Sequence, residues 1–304
     1  MNRRTPFSVF LSLAAIVLGV SCSDSNSDFG IDAGVGGGGG EGGSVPDPAC
    51  NGSPHLCDRR FDEVSYPMAH NAMSNAENGW RVPNQNFNIT RQLDYGIRAM
   101  ELDTYNEDGE LLLCHVVCEF GSQPLVEGLG EIRTFLESNP NEVVSIIFES
   151  SIEDAETASA IEDSGLLGFT YPHVVGDPWP TLGELIGADT RLVVFQEKPG
   201  DGEYPWLMYI WDHAWETHFS WGAPEDFNCN PNRGNPDNPL FMLNHFLTDI
   251  WGFPELAEMV NYNPLFIDRA EQCEEEGNAL PNFVKVDFYD IGDLFDVVES
   301  LNAP

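Results

Sequence analysis

The chain has 304 residues, of which 13 are Lys or Arg and 50 are Asp or Glu, so its formal net charge at pH 7 is −37. Such a charge repels the phosphate backbone of nucleic acids and excludes a nucleic-acid-binding function. Without an atypical first stretch of about 50 residues, the length suits one barrel-sized domain, which we expect to be a monomer.

The first 22 residues have the layout of an export signal. Two arginines precede an apolar run from Phe7 to Val20, which is too short to span a membrane as a helix. The signal ends at Cys22, which favours lipidation, although Gly19 stands where the usual leucine would be. We therefore expect an exported protein, either a bacterial cell-surface or outer-membrane lipoprotein held at a membrane by its lipid anchor, or a secreted protein.

Residues 23–48 consist mainly of Gly, Ser and Asp, with almost nothing apolar. Such a segment cannot bury enough surface to offset the entropy lost on ordering. The composition predicts a disordered tether between the export signal at 1–22 and a folded domain at 49–304.

Six cysteines remain after Cys22, an even number in an exported chain, where disulfides form and persist. Short spacings favour the pairs Cys50–Cys57 and Cys114–Cys118, which leaves Cys229–Cys273. The alternative is a metal site made of thiolates. It is weaker because no two cysteines have the two-residue spacing typical of such sites.

Short apolar runs rich in β-branched residues predict eight strands in the folded domain. They lie at 64–69, 97–102, 111–116, 143–148, 192–195, 207–211, 240–243 and 283–288. Apolar residues at helical spacing predict helices at 124–138 and 181–186, the second capped by Thr181. Strands that alternate with helices indicate an α/β fold, here a parallel (β/α)8 barrel of the TIM type. Few helix signals occur between 200 and 263, where we expect long loops.

Several predicted strands end in polar residues. These lie at the carboxyl end of the predicted barrel, where catalytic groups are found in such folds. Glu101 and Asp103 are two residues apart in a strand, so their side chains leave the same face. Asn71 and Glu149 come from neighbouring strand ends. Oxygen ligands with three negative charges suit Ca²⁺ somewhat better than Mg²⁺. The sequence therefore predicts a calcium site, with solvated rim carboxylates as the alternative.

His70 and His115 end the first and third predicted strands. Imidazole titrates near neutral pH, so two of them can move a proton onto and off a phosphodiester. We predict that these two histidines form the catalytic pair, and that a Cys114–Cys118 bridge fixes where His115 points. The other histidines are expected to be structural or to lie in loops.

Several motifs resemble the X region of the phosphatidylinositol-specific phospholipase C family in order and spacing: MAHNA (68–72), QLDYGIRAMELD (92–103), LCH (113–115) and NPNEVV (139–144). Further motifs are similar to its secreted, cysteine-containing branch, the phospholipase C-like phosphodiesterases: WPTLGELI (179–186), LNH (243–245) and PNFVKVDF (281–288). The resemblance implies a distorted eight-stranded barrel that cleaves phosphatidylinositol-type lipids to diacylglycerol and a cyclic inositol phosphate.

The resemblance also implies roles for single residues. His70 would help to form the pentacoordinate phosphorus, and His115 would protonate the leaving glycerol oxygen. Lys198 matches a basic residue that contacts the substrate phosphate in relatives. Asp287 would orient His70 or another group of the site, or would only close the barrel.

Family members differ in whether they use a metal. Metal-free bacterial members have an arginine near the second strand, whereas calcium-using members have an acidic pair there. This chain has Arg98 and also Glu101 and Asp103. The resemblance therefore favours calcium and leaves Arg98 either a structural role or a supporting role behind the substrate-binding residues.

Two other functions stay open at this point. A glycerophosphodiesterase or sphingomyelinase D on a similar barrel also uses paired histidines and a metal, but the former would show His-Arg-Gly where His70 precedes Asn71 and Ala72. A non-catalytic surface protein that binds inositol or sugar phosphates would have lost a site residue, and none is missing. No cluster of Lys and Arg is present to hold extra phosphates on an inositol ring.

Overall fold

The structure is a computed structural model that describes residues 49–248 and 252–304. The predicted export signal at 1–22, the lipidation site Cys22 and the tether at 23–48 lie outside the described residues. All described residues belong to one compact unit. Within them, no helix has both the length and the apolar character needed to cross a membrane.

The described chain contains eleven strands and seven α-helices. The strands are β1 (Tyr66–Ala69), β2 (Ala99–Glu107), β3 (Glu110–Cys114), β4 (Ser122–Pro124), β5 (Val144–Ser150), β6 (Leu192–Gln196), β7 (Leu207–Tyr209), β8 (Ala214–Thr217), β9 (Pro231–Gly234), β10 (Leu240–Asn244) and β11 (Pro281–Val286). The α-helices are α1 (Ile89–Tyr95), α2 (Leu125–Ser138), α3 (Asp154–Asp163), α4 (Leu182–Gly187), α5 (Pro254–Val260), α6 (Leu265–Gly277) and α7 (Leu294–Leu301). No α-helix of the described chain lies between β2 and β4 or between β6 and β10.

Eight of the strands run parallel in one sheet, in the order β7-β6-β5-β2-β1-β11-β10-β8. The sheet curls into a half-barrel, and among the described residues no pairing joins β7 to β8. The predicted α/β class, a distorted (β/α)8 TIM-type barrel, is therefore confirmed. The distortion is the open seam between the first and last strands of this order.

One of the eight predicted strands does not belong to the parallel barrel, and one strand of the barrel was not predicted. The third prediction corresponds to β3, which pairs antiparallel with β2 as a hairpin outside the parallel order. The missing barrel strand is β8, inside the segment where long loops were expected. All four of its residues are buried, so it shows no alternation of apolar and polar positions. A run of this length carries too few residues for a periodic signal.

Both predicted helices are confirmed, and their sequences explain them. In α2 the apolar side chains at helical spacing are buried, from Leu125 and Leu129 to Leu136. The α4 helix begins with a reciprocal cap. The Thr181 hydroxyl accepts from the Glu184 N–H at 3.1 Å, and the Glu184 carboxylate accepts from the Thr181 N–H at 2.8 Å.

The structure contains the disulfides Cys50–Cys57, Cys114–Cys118 and Cys229–Cys273. These are the pairs that the sequence spacing favours. Disulfides persist in oxidising compartments, so they fit an exported protein.

His213 provides a pH-dependent contribution to stability. Its ring is buried next to β8, 5.5 Å from the ring of His173. Burial first, and then the neighbouring His173, lower the pKa of His213 to about 4. In the unfolded chain His213 has a pKa near 6.5, so between about pH 6.5 and pH 4 it binds a proton in the unfolded state but not in the folded state. The free energy of unfolding therefore falls as the pH drops below about 6.5.

We expect this contribution to be about 2 kcal/mol between pH 7.5 and pH 5, from about 1.4 kcal/mol per pKa unit. Urea unfolding of the unmodified protein and of His213→Gln at both pH values measures it. Relative to the variant, the unmodified protein should lose about 2 kcal/mol of unfolding free energy when the pH is lowered from 7.5 to 5. A difference that does not change with pH would contradict the assignment.

Candidate active site

Polar side chains from four parallel strands and one hairpin meet at the carboxyl end of the half-barrel. The neighbouring strands β5, β2, β1 and β11 lie side by side, and Asp103 of β2 is directly opposite Glu149 of β5. A pocket of about 250 Å³ opens there. The predicted site residues that line it are His70, Asn71, Asp103, His115, Glu149 and Asp287. Glu101 lies below them, with only 2% of its surface exposed.

His70 is held by a carboxylate on one ring nitrogen. Its Nδ1 lies 2.7 Å from Asp287 Oδ1, which also accepts a bond from Asn84 Nδ2 at 3.0 Å. The ring stacks on Phe246 with 4.1 Å between centroids. Because a carboxylate only accepts, Nδ1 carries the proton and Nε2 is left free to accept one. This contact is the one expected if Asp287 orients His70.

The charge on His70 is set by opposing effects. Burial disfavours the charged imidazole, but Asp287 and Glu101 outweigh burial, so the pKa of His70 is raised above its ordinary value. The distance from His70 Nε2 to Glu101 Oε2 is 3.4 Å. His70 is thus well placed to hold a proton that it takes from a substrate.

His115 directly follows β3, which pairs antiparallel with β2 and ends at the bridged Cys114. Asn71 Nδ2 lies 3.1 Å from His70 Nε2 and 3.3 Å from His115 Nε2. The Nε2 atoms of both histidines therefore lie within hydrogen-bond distance of one amide group. Burial first, and then the charge of His70, lower the pKa of His115 to about 4.

The predicted calcium ligands leave oxygens without partners. Asn71 Oδ1, Glu101 Oε2 and Asp103 Oδ1 are buried and accept no hydrogen bond. Burial first, and then the nearby carboxylates of Glu149 and Glu101, raise the pKa of Asp103 well above its ordinary value. Buried, mutually repelling oxygens are what a hard divalent cation would satisfy, so the donor set fits calcium chemically.

The donor set is open rather than closed. Among residues 49–248 and 252–304, no three His, Cys, Asp or Glu side chains are gathered closely enough to hold a metal by themselves. Calcium accepts amide, water and substrate oxygens as well as carboxylates. An ion here would therefore take part of its coordination from Asn71 and from groups outside the chain.

The sequence profile of the family described as PI-PLC X 1 matches residues 56–302. This chain belongs to the PI-PLC X domain family. PI-PLC X domain-containing protein 1 of Arthroderma benhamiae is 31% identical over 284 residues, which cover 86% of this chain and 91% of that protein. An uncharacterized secreted protein of the same organism is 28% identical, and a PI-PLC X domain-containing protein of Arabidopsis thaliana is 29% identical. This PI-PLC X protein spans 64% and 65% of their respective lengths.

Solved structures show the same fold. A mutant of phosphatidylinositol-specific phospholipase C from Staphylococcus aureus superimposes with a TM-score of 0.57 at 12% identity, covering 81% of this chain and 94% of that one. A second structure of that enzyme gives 0.56 at 13% identity, with 82% and 95% covered. The family expected from the sequence motifs is thus confirmed. Fold and family together support a phospholipase C-like phosphodiesterase.

Lys285 is the charged residue beside Glu101 that the sequence did not single out in this PI-PLC X domain. It lies in β11 with 1% of its surface exposed, and its Nζ donates to Glu101 Oε1 at 2.9 Å. Burial disfavours the charge on Glu101, but Lys285 and then His70 outweigh it and lower the pKa of Glu101. The available signal was a lysine inside an otherwise apolar strand, FVKV, where an unpaired charge would be costly.

Two predicted substrate-binding residues lie elsewhere. Lys198 donates to the Ile152 carbonyl and lies 3.8 Å from Asp154 Oδ1, so it ties two loops together outside the pocket. Arg98 precedes β2 and therefore lies at the opposite, amino-terminal end of the barrel. There its Nε donates to Glu142 Oε2 at 2.6 Å. Arg98 also lines a different cavity, of about 310 Å³. Neither residue lines the pocket that holds the two histidines.

The bridge next to His115 predicts an effect on turnover. Cys114 and Cys118 enclose a short loop, in which Val116 adopts a left-handed conformation with φ of 59°. The loss of chain entropy in the unfolded state means that a bridge closing a loop of this size stabilises the fold by about 2 kcal/mol. The longer loop closed by Cys229–Cys273 corresponds to about 4 kcal/mol. We expect Cys114→Ser/Cys118→Ser to lower kcat with KM little changed.

The matched control is Cys229→Ser/Cys273→Ser, which should lower the free energy of unfolding more and kcat less. Kinetics and urea unfolding of both double variants test this. Full turnover after loss of the Cys114 bridge would show that the bridge only tightens a turn. Peptide mapping without reduction should find no free thiol among the six bridged cysteines.

Proposed function

We propose that this chain is a calcium-dependent phosphodiesterase that cleaves phosphatidylinositol-type lipids to diacylglycerol and a cyclic inositol phosphate. The observation that carries the proposal is the histidine pair. The Nε2 atoms of His70 and His115 face the same amide of Asn71 in one pocket, and Asp287 holds the first ring. Transfer of a phosphoryl group between two oxygens requires a base that takes a proton from the attacking oxygen and an acid that gives one to the leaving oxygen, and two neighbouring imidazoles can fill these two roles.

The proton steps follow from this geometry. The inositol 2-hydroxyl attacks phosphorus, and His70 Nε2 takes its proton while Asp287 stabilises the resulting imidazolium. The bond from phosphorus to the glycerol oxygen breaks, and His115 donates a proton to that oxygen. One proton is taken and one is given, so the cyclic phosphate forms without net change in proton count.

His115 must be charged before it can act as the acid. Its pKa of about 4 makes it mainly neutral in the free protein at neutral pH. An anionic phosphodiester beside the ring favours the charged form and raises that pKa. Substrate binding would thus prepare His115 for its role.

Asn71, Glu101, Asp103 and Glu149 would hold the calcium ion. When bound, a divalent cation lowers the pKa of a nearby hydroxyl and stabilises charge on phosphoryl oxygens. The support from this chain is that one buried oxygen each of Asn71, Glu101 and Asp103 has no hydrogen-bond partner.

The charges near the site favour a headgroup without extra phosphates. Arg233 is bound to Glu197 and Glu216, and Lys285 to Glu101. These cations are therefore already neutralised. We propose a substrate whose only phosphate is the diester itself, reached by a monomeric, exported protein at a membrane surface, through lipid on Cys22 if the chain is lipidated.

Product analysis tests the proposal. The purified protein is incubated with calcium and with phosphatidylinositol, sphingomyelin or glycerophosphocholine. We expect diacylglycerol and cyclic inositol phosphate from the first and no turnover of the other two. Cleavage of the choline compounds would indicate a glycerophosphodiesterase or sphingomyelinase D. Binding of inositol phosphate without any turnover would indicate a non-catalytic protein.

A further inference from the structure

Lys285 carries a buried positive charge one contact away from His70. Lysine is almost never buried unless an anion accompanies it. Here the anion is Glu101, whose Oε1 accepts from Nζ at 2.9 Å and whose Oε2 lies 3.4 Å from His70 Nε2. The two partners come from strands that β1 separates, so the ion pair crosses the barrel interior.

The other carboxylates near Lys285 have their own cation. Arg233 donates two bonds to Glu197, at 2.6 and 3.0 Å, and one to Glu216, at 2.5 Å. Glu216 also accepts from Asn244 Nδ2 at 2.9 Å. Neither of these carboxylates needs Lys285 for a hydrogen bond. Glu101 is therefore the carboxylate that Lys285 neutralises.

The pair leaves Glu101 half available to a metal. Oε1 is occupied by the ammonium group, whereas Oε2 is buried without a hydrogen-bond partner. Calcium affinity depends on the number of ligand charges, and a positive charge on one ligand repels a divalent ion strongly where the surroundings are poorly polarisable. A site built in this way binds calcium more weakly than its carboxylates alone would allow. Weak sites, with Kd of about 10⁻⁴ to 10⁻³ M, are typical of extracellular modules.

We infer that Lys285 is a resident counter-ion of the calcium site, which holds Glu101 in place without metal and keeps the calcium affinity weak. The inference rests on the proposed calcium dependence. Lys285 is a positioning residue in this account, because it acts through Glu101 and touches no substrate.

Calorimetric titration with calcium chloride tests the inference on the purified chain. Lys285→Met keeps the length of the side chain and removes its charge, so calcium should bind about tenfold more tightly or better. Lys198→Met is the matched control, since it removes a lysine that contacts Asp154 instead of Glu101. Its Kd should stay within about twofold of the unmodified value.

A second comparison covers the case in which Lys285→Met fails to fold because Glu101 is left buried and unpaired. Glu101→Gln is titrated with and without Lys285→Met, and the double variant contains no unpaired charge from this pair. It should bind calcium more tightly than Glu101→Gln alone. Unchanged or weaker binding after loss of the lysine would overturn the inference and leave the calcium proposal standing. Absence of calcium binding by the unmodified protein would overturn both.

Discussion

The His115→Ala variant should fold normally and lose several orders of magnitude in turnover of phosphatidylinositol. A single acid–base contribution is worth about 10²- to 10⁴-fold, and the loss is larger where two groups act as a unit. His115 and His70 both contact the amide of Asn71, so we expect the two histidines to act together in one step. The measurement is kcat and KM beside a thermal unfolding curve.

His55→Ala is the matched control for this variant. His55 is exposed and bonds to the Asn302 carbonyl at the far end of the barrel, so its loss should leave turnover unchanged. A substrate with a better leaving group should partly rescue His115→Ala, because it needs less help from an acid. Full activity of a folded His115→Ala protein would end the assignment of His115 as the acid.

Chelation of calcium should abolish activity, by at least about 10³-fold, since even one neutral donor to a developing oxyanion is worth about 10² to 10³. Without the cation, Asp103 and Glu149 face each other across β2 and β5 and both repel the substrate phosphate. Calcium should restore activity better than magnesium, because the open, irregular donor set suits the more adaptable ion. Activity at buffered free-metal concentrations is the measurement.

The carboxylate variants sharpen this test. Glu101→Gln should raise the calcium concentration needed for half-maximal activity, and Glu149→Gln should act likewise. Undiminished cleavage in excess chelator would contradict calcium dependence. Arg98 lies at the opposite end of the barrel, so Lys285 and Arg233 would then be the cations near the site among the described residues.

The strand and helix predictions succeeded where the spacing of apolar residues within a segment reflects how that segment is buried. The runs that became β1, β5 and β11 are mainly apolar because these strands of the parallel sheet are buried along most of their length on both faces. The hairpin strand β3 has the same composition, so its antiparallel pairing could not be read from it. Direction is a property of two strands together.

The sequence by itself determined the fold class, the catalytic histidines as candidates and the order in which polar residues close the strands. These depend on periodicity and on residue chemistry, which are local. Only the tertiary structure decided that Asp287 orients His70, since 217 residues separate them, and that Lys285 neutralises Glu101, since 184 residues separate those. It also removed Arg98 and Lys198 from the pocket. The order of the strands in the sheet determines which charged side chains lie close together, because ion pairs depend on distance in space and not along the chain.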